Sequence, residues 1–279
     1  CAAVTQEWDG DLRIVLFVQL RSGHSLDGDI EERIRNVIRS DASPRAHRFN
    51  YLAMLLGFGL LFAFLSLRGK AAERCPLTTP LETTIFIAWA ATLFYLVIGP
   101  AYRVSFLGAF TTPVVIVISL IALLALDDSP RAAAATRSPW VDFHAAIAIL
   151  AYGAFGLAAV AGAMYLIQER QLKTRKLSSS FLLLPSIEQL STISARLGLL
   201  GFVMLTAGMI GGMVSYRIVG HWTTPKIVWS VTLWGVFVAL TGTRQLQLLR
   251  GRKAAWAAIG SFLFALLTYW AVNLCPVTK

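Results

Sequence analysis

This 279-residue chain has little charge, little cysteine and few histidines. Charged residues make up 14% of it, and none lies inside any of seven long apolar runs. Ion and proton carriers keep ionisable groups at membrane depth, so a secondary transporter is disfavoured. Three cysteines, Cys1, Cys75 and Cys275, are too few for a disulfide framework. Two of them, Cys75 and Cys275, fall on one expected side, where an oxidising compartment permits a bridge or a redox role. Two unrelated cysteines at helix ends are the plainer reading. No signal peptide is visible before Cys1, so a trimmed chain suits this start better than a lipidated cysteine.

What is abundant is apolar surface, at 56% hydrophobic residues and a mean hydropathy of +0.64. The runs are Tyr51 to Leu67, Thr83 to Gly99, Ser105 to Leu126, Ala145 to Ile167, Leu197 to Tyr216, Ile227 to Thr243 and Ala254 to Leu274. A helix needs about 20 apolar residues to cross a hydrocarbon core of roughly 30 Å, and each run is close to that. They are apolar all round, unlike the alternating strands of a membrane β-barrel. The expected fold is an all-α membrane protein, a bundle of about seven transmembrane helices over residues 50–279. Residues 1–49 form a short extramembrane segment of αβ-like pattern, with a strand at Leu12 to Leu20 and an amphipathic helix at Leu26 to Ser40.

The net charge of +10 does not point to nucleic acid, because the basic residues cluster at span ends. Arg170, Lys173, Arg175 and Lys176 follow the fourth run, and Arg244, Arg250, Arg252 and Lys253 follow the sixth. The positive-inside rule puts both loops in the cytoplasm. Alternation then sets loops 68–82, 127–143 and 217–226, with the C-terminus, on the outer side. Arg68, Lys70 and Arg74 in the first outer loop run against this bias.

Polar and aromatic groups gather at those outer ends. The first loop holds Cys75-Pro76-Leu77-Thr78-Thr79-Pro80-Leu81-Glu82, and the second ends Trp140-Val141-Asp142-Phe143-His144. The third holds His221, Trp222, Thr223, Thr224, Pro225 and Lys226, followed by Trp229 and Trp234, while Trp270 and Asn273 close the last run. A histidine beside several tryptophans at a membrane rim suits a flat, apolar, anionic ligand with a metal at its centre, and haem fits that description. Neutral imidazole ligates iron, indoles stack on a porphyrin, and Lys226 or Arg217 can pair with propionates. The same residues also suit an interfacial aromatic belt and a hydrogen-bonded rim histidine.

The segment HAAIAILAYGAFGLAAVAGAMYLIQERQLK, His144 to Lys173, resembles the signature helix of the cytochrome c assembly protein family, the CcsA-type and HemX-like integral membrane proteins. Three further pieces follow in that family's order. They are CPLTTPLETTIFIAWAATLFYL, which resembles its Pro-Thr-Asn-Leu-Tyr-Glu loop, then LPSIEQLSTISARLGLLGFVMLTAGMIGGM, and the ending GRKAAWAAIGSFLFALLTYWAVNL. The resemblance covers about Tyr51 to Leu274. It implies a multi-pass protein of a bacterial plasma (inner) membrane that binds haem at the outer face without turnover chemistry. The implied partners are a biogenesis subunit and apocytochrome c, besides the lipid bilayer.

By this resemblance His144 matches the first of two histidines that supply axial ligands, and Pro76 and Glu82 match the outer loop. Lys226 and Trp229 match positions after the tryptophan-rich stretch, with Trp222 and Trp234 completing a stacking wall. Where that stretch reads Trp-Ser-Trp-Asp-Pro-Lys, this chain reads His221-Trp222-Thr223-Thr224-Pro225-Lys226. The second histidine is missing too, and His221 and Cys275 are the candidates for its place. The short loop is closer to the HemX-like branch, which implies an alternative: a regulatory or scaffolding protein of haem synthesis with no haem site, docking an enzyme through residues 170–194. Gly208 and Gly212, at GxxxG spacing, are read as a helix-packing device separate from the chemistry. Pro113 is expected to kink or relax the third span.

A second resemblance covers Trp8 to Arg45, WDGDLRIVLFVQLRSGHSLDGDIEERIRNVIRSDASPR, which is similar to part of the small C-terminal subdomain of acetoacetyl-CoA synthetase. It stops before the segment that carries that family's catalytic lysine, so no ligase activity is implied.

Overall fold

The structure is a computed structural model that describes residues 2–8, 11–17, 28, 44–73, 75–101, 105–125, 139–174, 186–219 and 224–274. The chain separates into two compact units, residues 1–43 and 44–279.

In the first unit, strands β1 (Ala2–Trp8) and β2 (Asp11–Phe17) pair antiparallel, with Ala2 opposite Phe17 and Trp8 opposite Asp11. The β2 strand overlaps the expected Leu12 to Leu20 run and begins one residue before it, at Asp11, whereas β1 was not anticipated. The expected helix at Leu26 to Ser40 lies outside the described residues, apart from a helical Gly28.

Among the described residues, the second unit contains seven helices. They are α1 (Pro44–Ala71), α2 (Pro80–Ala101), α3 (Ser105–Ala125), α4 (Pro139–Thr174), α5 (Ile187–Val219), α6 (Thr224–Gln245) and α7 (Gly251–Leu274). All seven are long and apolar enough to cross a membrane, in agreement with the seven runs. Helices extend past the apolar runs where charged groups carry them into water. Lys173 bonds Glu169 at 2.6 Å, one turn apart in α4, beyond the end of the run at Ile167.

The α4 helix is the centre of the bundle, with 78% of its membrane span buried against 11% for α1. It packs on α2, α3, α5 and α7. Lipid gives helices no hydrophobic reason to associate, so close van der Waals approach has to supply the attraction. Small residues on α4 allow it. Ala151, Ala154, Ala158 and Ala161 are buried, and a Cβ on Gly153 would stand 2.5 Å from the Ala90 Cβ. Larger side chains fill the remaining gaps, as in the parallel stack of Phe155 on Phe237 at 3.6 Å.

Two helix starts are fixed by reciprocal caps. Thr79 Oγ1 accepts from the Glu82 amide at 3.1 Å, and Glu82 Oε2 accepts from the Thr79 amide at 3.2 Å, with Pro80 at the first helical position. Ser186 and Gln189 repeat the pattern at α5. The α3 helix continues through Pro113, where Thr111 and Thr112 hydroxyls bond the carbonyls of Leu107 and Gly108 at 2.7 and 2.8 Å.

Candidate functional site at one end of the bundle

The up-and-down connectivity of α1 to α7 brings the ends that carry Glu82, Trp140, His144, Gly208, Trp229 and Trp270 to one side of the bundle. Trp140 is exposed and meets Phe143 edge-on at 6.4 Å. His144 lies in the second turn of α4 and points the other way, into α5.

The imidazole of His144 is held on the backbone of α5, where Nδ1 hydrogen-bonds the Gly208 carbonyl. A carbonyl only accepts, so Nδ1 carries the hydrogen and Nε2 keeps its lone pair. The glycines make room for this. A Cβ on Gly212 would stand 2.8 Å from His144 Cε1, and a Cβ on Gly208 would stand 3.0 Å from the Ala148 Cβ. Gly208 and Gly212 therefore make room for the histidine as well as for close helix packing. The reason is the antiparallel pairing of α4 with α5, which sets one helix's histidine against the other's glycines.

The tryptophans converge beside a pair of tyrosines. The Tyr269 ring on α7 lies 6.2 Å from Tyr152 of α4 and 6.0 Å from Trp229 of α6. One residue on, Trp270 Nε1 donates to Thr84 Oγ1 of α2 at 3.1 Å. Trp234 donates to Thr206 Oγ1 of α5 at 3.2 Å and lies against Phe202. Aromatic rings of α4, α6 and α7 thus meet in one cluster, and the hydrogen bonds to Thr84 and Thr206 tie α2 and α5 to the same helices. Within it, Tyr152 Oη and Trp229 Nε1 are buried with no hydrogen-bond partner among the described residues. Neither tyrosine was singled out in the sequence. Tyr152 lies two helical turns from His144, a spacing that puts both on one face of α4.

Glu82 is fully buried and structurally engaged. Besides the cap, its Oε2 accepts from the Thr78 amide at 3.0 Å, and its Oε1 pairs with Arg68 Nε of α1 at 3.4 Å. This ion pair balances one of the three cations that ran against the expected charge bias of that loop. Lys226 lies in the first turn of α6. His221, Trp222 and Cys275 lie outside the described residues, and so does any pairing of Cys75 with Cys275. Among the described residues no three His, Cys, Asp or Glu side chains cluster as a metal site. The ligand chemistry on view is a single oriented imidazole with aromatic faces in the same half of the bundle. An oriented neutral imidazole of this kind fits a haem axial ligand.

Fold and rim together define a multi-pass α-helical membrane protein with a histidine fixed at one end of its bundle. The chain belongs to the cytochrome c assembly protein family, whose pattern matches residues 78–278. It is similar to the cytochrome c biogenesis protein CcsA of Synechococcus sp. (strain CC9902), with 29% identity over 86% of this chain and 87% of that one. The CcsA proteins of Prochlorococcus marinus (strain MIT 9301) and Parasynechococcus marenigrum (strain WH8102) are each 28% identical over about four fifths of both chains.

Proposed function

We propose that this protein holds haem at the His144 end of the bundle and presents it for cytochrome c maturation, as a binding module without turnover chemistry. The observation that carries the reading is the hydrogen bond from His144 Nδ1 to the Gly208 carbonyl. Metal-ligating histidines characteristically give their second ring hydrogen to a carbonyl or carboxylate, which fixes the tautomer and raises the basicity of the ligating nitrogen. The backbone carbonyl does that here, so Nε2 would be the nitrogen that ligates iron. Trp229 and Trp234 with Trp222 would form the aromatic wall around haem, Lys226 would pair with a propionate, and His221 or Cys275 would be a second iron ligand. Glu82 acts on this site by fixing the loop before α2. The relatives' names, which refer to cytochrome c biogenesis, support the same role, in which apocytochrome c and a biogenesis subunit would be the partners.

The proposal sets the His144 end on the outer face of a bacterial plasma membrane, with the C-terminus on that side. The basic clusters after α4 and α6 support this, because the positive-inside rule keeps them in the cytoplasm.

The test is the visible spectrum of detergent-purified protein after haem supply, oxidised and dithionite-reduced, beside His144→Ala. A Soret band and reduced α-band that fall sharply in the variant are the expected result. A folded wild type that retains no stoichiometric haem sinks the reading. It would leave the HemX-like alternative, a regulatory or scaffolding protein that acts through residues 170–194.

A further inference from the structure

At the other end of the bundle a cavity of about 90 Å³ opens between α4, α5, α6 and α7. Phe155, Phe237, Ser194, Thr241 and Ser261 line it, together with Arg244. In the sequence Arg244 reads as a loop residue. It is instead in the last turn of α6, half-buried, with its guanidinium turned back onto the start of α5. Nη1 donates to Ser194 Oγ at 3.3 Å and Nη2 to the Ser191 carbonyl at 3.0 Å. Five N–H groups are available on a guanidinium. Its other three have no acceptor among the described residues, and no described carboxylate pairs with it.

A half-buried cation with spare donors at a membrane boundary calls for an anion. The setting indicates which one. The turn joining α6 to α7 exposes Leu246 and Leu248, at 73% and 69% of their surface. Arg250, Arg252 and Lys253 follow, all exposed. Apolar side chains beside cations at the end of a span belong at the level where acyl chains meet headgroups. The volume decides between ligand sizes. Pockets for drug-sized or cofactor-sized ligands run from roughly 300 Å³, so this space is too small for a porphyrin. It is about right for a phosphate with its first ester atoms.

We propose that this cavity binds the phosphodiester head of an anionic phospholipid from the leaflet at that end. Three Arg244 N–H groups face the phosphate oxygens, and the first methylenes lie along Phe155 and Phe237. Bound there, the lipid joins the start of α5 to the end of α6. This proposal does not depend on the haem reading.

Full-length protein in neutral detergent is titrated separately with phosphatidylglycerol, phosphatidylcholine and sodium phosphate, and the thermal midpoint is followed by tryptophan emission. Phosphatidylglycerol is expected to raise the midpoint saturably by roughly 5 °C, the other two by far less. Arg244→Gln is expected to lose most of that rise, and an Arg250→Gln/Arg252→Gln double variant to keep it. Replacing Arg244 also breaks its bonds to α5, so Ser261→Leu is measured beside it. That change fills the cavity, spares the arginine, and is expected to lose the response as well. Native mass spectrometry of the wild type should retain one phosphatidylglycerol per chain under activation that strips phosphatidylcholine. An equal response to phosphatidylcholine or to sodium phosphate overturns the proposal. So does a response kept by both cavity variants, or the absence of a retained lipid.

Discussion

His144 on α4 and Gly212 on α5 are so close that a single methyl group on the glycine would occupy the edge of the imidazole ring. The added Cβ would stand 2.8 Å from Cε1, closer than carbon atoms approach without something moving. A shift of the ring that relieves this contact breaks the bond from Nδ1 to the Gly208 carbonyl. Gly212→Ala is therefore expected to lower haem retention nearly as far as His144→Ala does. The thermal cost should stay within about 1–3 kcal/mol, typical of one methyl group forced into a packed site. Gly211→Ala is the control. Its Cβ would make an ordinary contact with the His144 Cβ at 3.4 Å, so retention should be unchanged and stability level or slightly improved. Equal haem loss in both variants, or in neither, would separate the glycines from the ligand.

Glu82 is expected to be a residue of stability first. Its carboxylate takes two backbone amides and the Arg68 guanidinium while fully buried. In Glu82→Gln the amide nitrogen must face one of those donors, which leaves a buried N–H without an acceptor at a cost of about 1–3 kcal/mol. Thr79→Ala removes the reciprocal half of the cap and should cost about 1 kcal/mol. Arg68→Gln leaves a fully buried carboxylate without that guanidinium and should cost more than Thr79→Ala, although the arginine itself is partly exposed. Thermal midpoints of the three variants in detergent check this order. A Glu82→Gln protein as stable as the wild type would mean that the carboxylate is available for some other partner.

The seven spans were legible because a helix that crosses lipid must be apolar over about 20 residues, and a charge-free run of that length shows directly in the sequence. Their ends were less so. Hydropathy marks where lipid stops, whereas α5 begins at Ile187, well before the run at Leu197, and is capped in water by Ser186 and Gln189. The cap at Glu82 was also available as a local pattern, Thr-Pro-Leu-Glu, before a helix. The matching of Gly212 to His144, and of Arg244 to Ser191 and Ser194, was not available, because it depends on which helices become neighbours. Strand β1 was missed for a related reason: Ala2 to Trp8 is weakly patterned by itself and gains its bonds only opposite β2.

Orientation can be read with cysteine labelling in a cysteine-free background. A cysteine introduced at Ser178, in the loop after α4, should react with a membrane-impermeant maleimide only after the membrane is opened. One introduced at Ala134, in the loop before α4, should react in intact cells. The reverse pattern would put His144 on the cytoplasmic face and remove apocytochrome c as a recipient.

Tyr152 separates a packing role from a polar one inside the aromatic cluster. Its hydroxyl is buried without a partner among the described residues, and so is the Trp229 indole N–H across the Tyr269 ring. An unpartnered buried hydroxyl costs about 1–3 kcal/mol, and removing it returns that cost while the ring keeps its contacts. Tyr152→Phe should therefore leave the thermal midpoint level or raise it by a few degrees. Tyr152→Leu gives up the edge-on contact with Tyr269 and should lower it. The comparison is made in haem-free and haem-supplied protein. If Tyr152→Phe is neutral without haem and destabilising with it, the hydroxyl gains its partner on loading, and the cluster is part of the haem site. If Tyr152→Phe raises the midpoint equally in both, the cluster only packs the bundle, and His144 acts without it.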